Sequence, residues 1–370
     1  MQTPRYSPGK IWIYQFMTII VLFGCSGKND PKDAREDLII GAKIYQHQGS
    51  FVPLFEEWRE LSINTVFVSD TLAAKDEFRS LARKHHITTF VICPIFYDPD
   101  PEFPAITDSG EEAVDEWVHF ACPTRATYRQ RKIRGIRDFV ANYDPDGISI
   151  DFIRFFAYWE KVYPDRAPTS IPNTCFDDHC LNRFQADTKV TIPAQLQSVP
   201  EIAKWIQENH LSAWVEWKCG VITSMIQEIV TEAKKVKPDL LVNVHAVPWR
   251  QTDFGGAVKI VAGQDIAALS QIADYISPMC YHHMVKQTPA WIHTVVQDMN
   301  RHADAPILPS IQVGTAYLKT NLTTENFRQA LLESLRTPSQ GVVFWNWKAL
   351  EAEPEKRKVV QTVLKKAELM

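Results

Sequence analysis

Asp151 and Arg154 stand at the end of an otherwise apolar run, Asp146-Gly147-Ile148-Ser149-Ile150-Asp151-Phe152-Ile153-Arg154-Phe155. A carboxylate and a guanidinium in such a place cost desolvation free energy unless they are paired or used. An aspartate there can attack an electrophilic carbon or stabilise positive charge developing on it, and a neighbouring arginine can orient that aspartate or a substrate hydroxyl. Other strand-end positions collect aromatic and imidazole side chains: Tyr45, His47, Tyr97, His245, Trp249, Tyr281, His282, Trp345 and Trp347. Rings beside carboxylates suit a sugar, whose apolar face stacks on an aromatic plane while its hydroxyls bond to polar groups. These residues are therefore the expected contacts of an oligo- or polysaccharide. For Asp151 the plainer alternative is a structural ion pair with Arg154.

Hydrolysis of a glycosidic bond normally needs a second carboxyl group as proton donor. Asp253, in the loop after the fifth strand, and Glu216, near the start of a long helix, are the candidates. A favourable position at the positive end of the helix accounts equally well for Glu216. His47, His245, His282 and His283, with Asp151, make a metal-dependent hydrolase a rival. The first strand, however, ends Gln46-His47-Gln48 and does not offer two alternating histidines to one ion. No metal and no cofactor are expected at the site. Cys175 and Cys180 flank a short polar loop that a disulfide could close, whereas a zinc site of Cys175, His179 and Cys180 lacks a fourth ligand nearby. No G-x-S-x-G elbow occurs.

Positioning these groups requires a scaffold whose strand ends converge. Apolar strand-like runs at 38–45, 64–69, 88–97, 147–155, 240–247, 275–281, 307–313 and 341–347 alternate with helix-like runs at 53–61, 74–85, 124–142, 212–237, 264–273, 289–302, 324–336 and 353–369. Ser212 and Thr324 are the expected N-caps of two of these helices, and Lys237-Pro238 ends one. Eight such units predict a (β/α)8 TIM barrel over 38–370, with the chemistry at the carboxyl ends of the strands. An open dinucleotide-binding sheet is disfavoured because Tyr45-Gln46-His47-Gln48-Gly49 is no glycine-rich phosphate turn. The long loops 98–123 and 156–211, after the third and fourth strands, crowd the same mouth and are expected to shape it or cover it.

Residues 1–24 read as a lipoprotein signal peptide, in which Arg5 and Lys10 precede an apolar run ending Leu22-Phe23-Gly24-Cys25. That ending resembles a lipobox, which makes Cys25 the expected lipidation site and 25–37 a polar tether. The expected location is the bacterial cell envelope, with the membrane reached through the lipid anchor. A net charge of −4, with basic residues scattered, argues against nucleic acid as a partner.

The run Asp146 to Phe155 combines with Trp214-Val215-Glu216-Trp217-Lys218, Ser277-Pro278-Met279-Cys280-Tyr281 and Gly341-Val342-Val343-Phe344-Trp345-Asn346-Trp347. Together they resemble the glycosyl-hydrolase-like (β/α)8 barrels of bacterial envelope lipoproteins, relatives of the α-amylase superfamily. The resemblance implies that Asp151 is the nucleophile and that a glutamate at the end of strand five is the acid. Strand five reads Val242-Asn243-Val244-His245-Ala246-Val247 and holds no glutamate. In the D-G-x-D-x-D-x-E pattern of chitinase-like barrels, Ser149 takes an aspartate position and Ile153 the acid's. The expectation is a glycoside hydrolase acting at the carboxyl-terminal face of the barrel. A non-catalytic glycan-binding barrel is the alternative that the missing glutamate favours.

Overall fold

The computed structural model describes residues 38–368. The expected signal peptide, the Cys25 lipidation site and the tether lie outside the described residues. Eight strands form a closed parallel barrel: β1 (Ile39–Ile44), β2 (Thr65–Val68), β3 (Thr88–Pro94), β4 (Gly147–Asp151), β5 (Leu241–Ala246), β6 (Tyr275–Cys280), β7 (Ser310–Gln312) and β8 (Gly341–Trp345). Each strand pairs with its sequence neighbours, and β8 closes on β1. The main outer helices are α1 (Phe51–Glu60), α2 (Asp76–Lys84), α3 (Ala126–Tyr143), α4 (Leu211–Val236), α5 (Ile266–Ser270), α6 (Ala290–Asn300), α7 (Thr324–Ser334) and α8 (Pro354–Glu368). The architecture is the (β/α)8 barrel that the alternation predicts. In α1, apolar residues at the helical spacing 51, 54, 55 and 58 bury Phe51, Leu54, Phe55 and Trp58, and the Ser50 side chain accepts from the Val52 N–H.

Alternation decides what the barrel encloses. On β4, Ile148 and Ile150 join the large hydrophobic core, whereas Gly147, Ser149 and Asp151 form the other set. Gly147 makes room for a ring: a Cβ there would lie 2.4 Å from Phe90 Cε1. Phe67 and Phe90 stack at 5.0 Å and, with Leu308 and Val343, plug the lower barrel. Above the plug, Asn243 Nδ2 donates to Ser149 Oγ at 2.9 Å, and Ser149 Oγ lies 2.9 Å from His245 Nε2. Asp151 is the next step up β4, at the mouth.

Three local expectations are corrected. The strands end earlier, so residues 152–155 belong to a turn, with Phe152 in the left-handed region at φ 50°. Loop 156–211 contains two helices, Asp178–Thr188 and Val199–Asn209. The second has a capping box in which Ser198 and Glu201 satisfy each other's backbone N–H groups. The caps also shift: His210 precedes α4, placing Ser212 inside it, and Thr323 rather than Thr324 caps α7 by accepting from Asn326 N–H at 3.1 Å.

Candidate active site

A cavity of about 450 Å³ opens at the carboxyl ends of the strands. Its charged lining comes from β1 (Lys43), the second residue after β2 (Asp70), the end of β4 (Asp151) and the loop that follows (Arg154, Glu160). Asp70 is exposed at the rim, whereas Lys43, Asp151, Arg154 and Glu160 are all buried. The turn after β4 fixes the first carboxylate, because the Phe152 N–H donates to Asp151 Oδ1 at 2.7 Å. A left-handed phenylalanine is strained by roughly 1–2 kcal/mol. That conformation accompanies a Phe152 ring that lines the cavity, 5.0 Å from the ring of Tyr97.

The two buried carboxyls are driven in opposite directions. Burial alone would raise Asp151, but His245, Lys43, Arg154 and the Phe152 N–H together hold it below the usual carboxylate range. Burial, reinforced by Lys43, drives His245 down to about 3, so at neutral pH the balancing positive charge comes from Lys43 and Arg154. Burial brings the Lys43 ammonium down to about 8 against the pull of Asp151. Lys43 Nζ donates to Tyr281 Oη at 3.3 Å. Arg154 lies over the rings of Phe152 and Phe120, 4.9 and 5.2 Å from their centroids, and donates to the Ala157 carbonyl at 3.3 Å. Burial pushes Glu160 up to about 7, with Arg154 opposing and Asp151 adding to the rise. Its Oε2 is buried without a hydrogen-bond partner among the described residues. One carboxyl is therefore ionised and the other holds a proton near neutrality, the division that acid and base roles require.

Aromatic walls surround these charges. Tyr281 and Trp345 stack at 4.4 Å on one side, with Trp159 5.7 Å from Tyr281. Trp117, at the tip of a hairpin in the loop after β3, donates from Nε1 to Tyr317 Oη at 3.0 Å, and the rings of Tyr158 and Tyr317 lie 6.0 Å apart. Tyr158 in turn donates to Glu116 Oε2 at 2.8 Å, and Lys161 pairs with Glu116. The loops after β3, β4 and β7 thus meet over the cavity, as the two long insertions lead one to expect.

Of the residues selected from sequence, Tyr45, Tyr97, Asp151, Arg154, Tyr281 and Trp345 come together here. The others lie elsewhere. Asp253 is held by Arg250 through contacts of 2.8 and 3.1 Å and, with Trp249, lines a separate depression. Glu216 is exposed on α4. His47 bonds the Ser50 carbonyl outside the cavity, at 3.1 Å. His245 sits inside the barrel beneath the cavity floor, bonded to Ser149 and to the Ser277 carbonyl. His282 is buried outside the cavity lining, and Trp347 packs into the core 5.9 Å from Trp58. The histidines do not converge: among the described residues, the one cluster able to share an ion contains none of them.

Sequence reasoning missed Lys43, Trp117, Trp159, Glu160 and Tyr317. A lysine inside Ile39-Ile40-Gly41-Ala42-Lys43-Ile44 was a legible signal for the first. The aromatic frame Tyr158-Trp159-Glu160 was one for the buried carboxyl Glu160.

No family model and no curated protein sequence matches the chain. Solved structures do. The glycoside hydrolase domain of PgaB (BpsB) from Bordetella bronchiseptica matches with a TM-score of 0.66 at 10% identity, over 87% of this chain and 98% of that one. The likeness is one of fold. A β-galactosidase from the psychrophilic Marinomonas ef1 matches at 0.64 and 10%, covering 90% of this chain and 60% of its own. A cold-adapted β-galactosidase from Rahnella sp. R3 matches at 0.60 and 13%, covering 90% and 56%. This chain therefore spans little more than half of either β-galactosidase, and the shared part is the barrel.

Proposed function

We propose that the protein is a glycoside hydrolase in which Asp151 attacks or stabilises the oxocarbenium-like carbon and Glu160 protonates the leaving oxygen. The observation carrying this reading is the pair of buried carboxyls in one cavity, one held ionised and the other pushed up to about 7. Arg154 orients Asp151 or a sugar hydroxyl. Lys43 keeps Asp151 charged, and the Tyr281–Trp345 wall stacks on the sugar. Glu160 takes the place of the strand-five glutamate that the amylase-like pattern calls for, and Asp253 and Glu216 have no part in the chemistry. The solved structures of like fold agree, being named as a glycoside hydrolase domain and β-galactosidases.

The test is reducing-sugar release from a panel of glycans by the native protein, Asp151→Asn and Glu160→Gln. The native protein releases sugar from at least one glycan, and Asp151→Asn loses about 10³-fold or more. Glu160→Gln loses on the order of 10²–10⁴-fold on natural linkages. On an aryl glycoside whose leaving group needs no proton, the Glu160→Gln loss shrinks and the Asp151→Asn loss persists. Glycan binding without release from any substrate overturns the hydrolase and leaves a binding barrel.

The lipobox-like Leu22-Phe23-Gly24-Cys25 further supports a lipid-anchored envelope protein. Cys25→Ser then moves the protein from the detergent phase to the aqueous phase. Unchanged partitioning removes the anchor.

A further inference from the structure

Away from the cavity, Cys122, Cys175 and Cys180 bring three fully buried sulfurs together. The Cys122 and Cys180 sulfurs are 3.3 Å apart, although 58 residues separate them in the chain. Those sulfurs, that of Cys175 and a carboxylate oxygen of Asp177 all lie within 4.8 Å of one another. We propose that Cys122, Cys175, Cys180 and Asp177 form a structural zinc site that staples the insertion after β3 to the insertion after β4.

Four observations support it. Tetrahedral zinc takes sulfur ligands at roughly 2.3 Å, which sets ligands about 3.8 Å apart, and the cluster needs only small adjustments to reach that. Disulfides can consume thiols only in pairs, so three around one point leave one over, and they do not explain a partly buried carboxylate beside them. Zinc uses all four groups. The groups are also held by outer contacts of the kind that metal ligands need. The Ile106 N–H donates to the Cys175 sulfur at 3.2 Å, and the Thr124 hydroxyl lies 3.2 Å from both other sulfurs. The Cys180 N–H and Arg125 Nη2 donate to the two oxygens of Asp177 at 2.6 and 2.7 Å. Each oxygen keeps a second lone pair for the ion. Finally, none of the four ligands lines the substrate cavity, and a closed, fully protein-ligated site is what a structural ion requires. On binding, Zn²⁺ displaces the thiol protons to solvent.

His179, which the sequence offered as a ligand, turns instead towards the Thr124 carbonyl at 3.4 Å. Cys122 supplies the third sulfur. The ion would bind together the segment leading from the Trp117 hairpin into α3 and the segment following Glu160. It would steady the roof without touching the chemistry.

The experiment uses the full untagged chain purified without chelator. Elemental analysis should give about one zinc per chain, and cobalt exchange should give a thiolate-to-cobalt charge-transfer band with the visible bands of tetrahedral coordination. Cys122→Ser, Cys175→Ser and Cys180→Ser should each abolish the charge-transfer band or cut zinc content below half, whereas Cys93→Ser keeps both. The cobalt spectrum of the native chain decides the matter even where a serine variant fails to fold. A native chain that neither carries zinc nor gives the cobalt band overturns the site. So does a Cys122–Cys180 disulfide found in the unreduced protein by mass spectrometry.

Discussion

The lower barrel interior and the mouth above it are both lined by buried side chains and do opposite things, although Lys43 and Asp151 reach the mouth from strands and Arg154 and Glu160 from the loop after β4. Below, Phe67, Phe90, Leu308 and Val343 fill space, and the polar layer above them bonds internally through Asn243 Nδ2, Ser149, His245 and the Ser277 carbonyl, leaving Asn243 Oδ1 without a partner among the described residues. Above, Lys43, Asp151, Arg154 and Glu160 are just as buried, but their charges are unequally matched and Glu160 Oε2 has no partner among the described residues. The lower set is enclosed and is spent on stability, whereas the upper set lines the cavity, where a bound substrate can use its unsatisfied capacity. A buried polar group is an asset only where something arrives to meet it.

That contrast can be broken from either side. Phe90→Ala in the plug should cost about 3–5 kcal/mol of folding free energy by opening a cavity. Denaturant unfolding measures that loss, while turnover per folded molecule stays within about twofold of native. A comparable loss of turnover would mean that the two halves are not separable.

The pH–rate profile sharpens the upper half. In the proposed mechanism Asp151 must be ionised, and it is held below its usual range, so activity should persist well into acid. Glu160 must be protonated, and its proton leaves as pH rises through about 7. From pH 7 to 9, loss of the Glu160 proton should therefore lower kcat/KM about 50-fold, and Glu160→Gln should abolish the limb near 7, leaving only the limb near 8 at which Lys43 loses its proton. A limb near pH 7 that survives in the variant assigns the acid elsewhere.

Trp345→Ala removes one face of the stacked wall and should raise KM about tenfold, with a smaller effect on kcat. Asp253→Asn and Glu216→Gln should change kcat/KM by less than about twofold, because neither carboxylate reaches the cavity. A large loss in either variant returns that residue to the mechanism.

Much of the frame was written locally. Hydrophobic period and helix punctuation place all eight strands and their helices within a few residues, and Gly147-Ile148-Ser149-Ile150-Asp151 already carries the alternation that sends Asp151 to the mouth. The aromatic residues Tyr45, Tyr97, Tyr281 and Trp345 followed from the same rule, since strand ends share one face of the barrel. The rule fails where a side chain's address depends on the other strands or on a loop's path. His245 and Trp347 stand at or beside strand ends yet face the barrel interior and the core. Whereas the loop after β5 turns Asp253 to Arg250, the route of loop 156–211 brings Glu160 into the cavity that Asp151 lines. It also brings Cys175 and Cys180 to Cys122. Periodicity is a property of neighbours in the chain, so the sequence alone determined the barrel and its nucleophile candidate. Burial and charge depend on neighbours in space, so only the tertiary structure could decide which carboxyl keeps its proton.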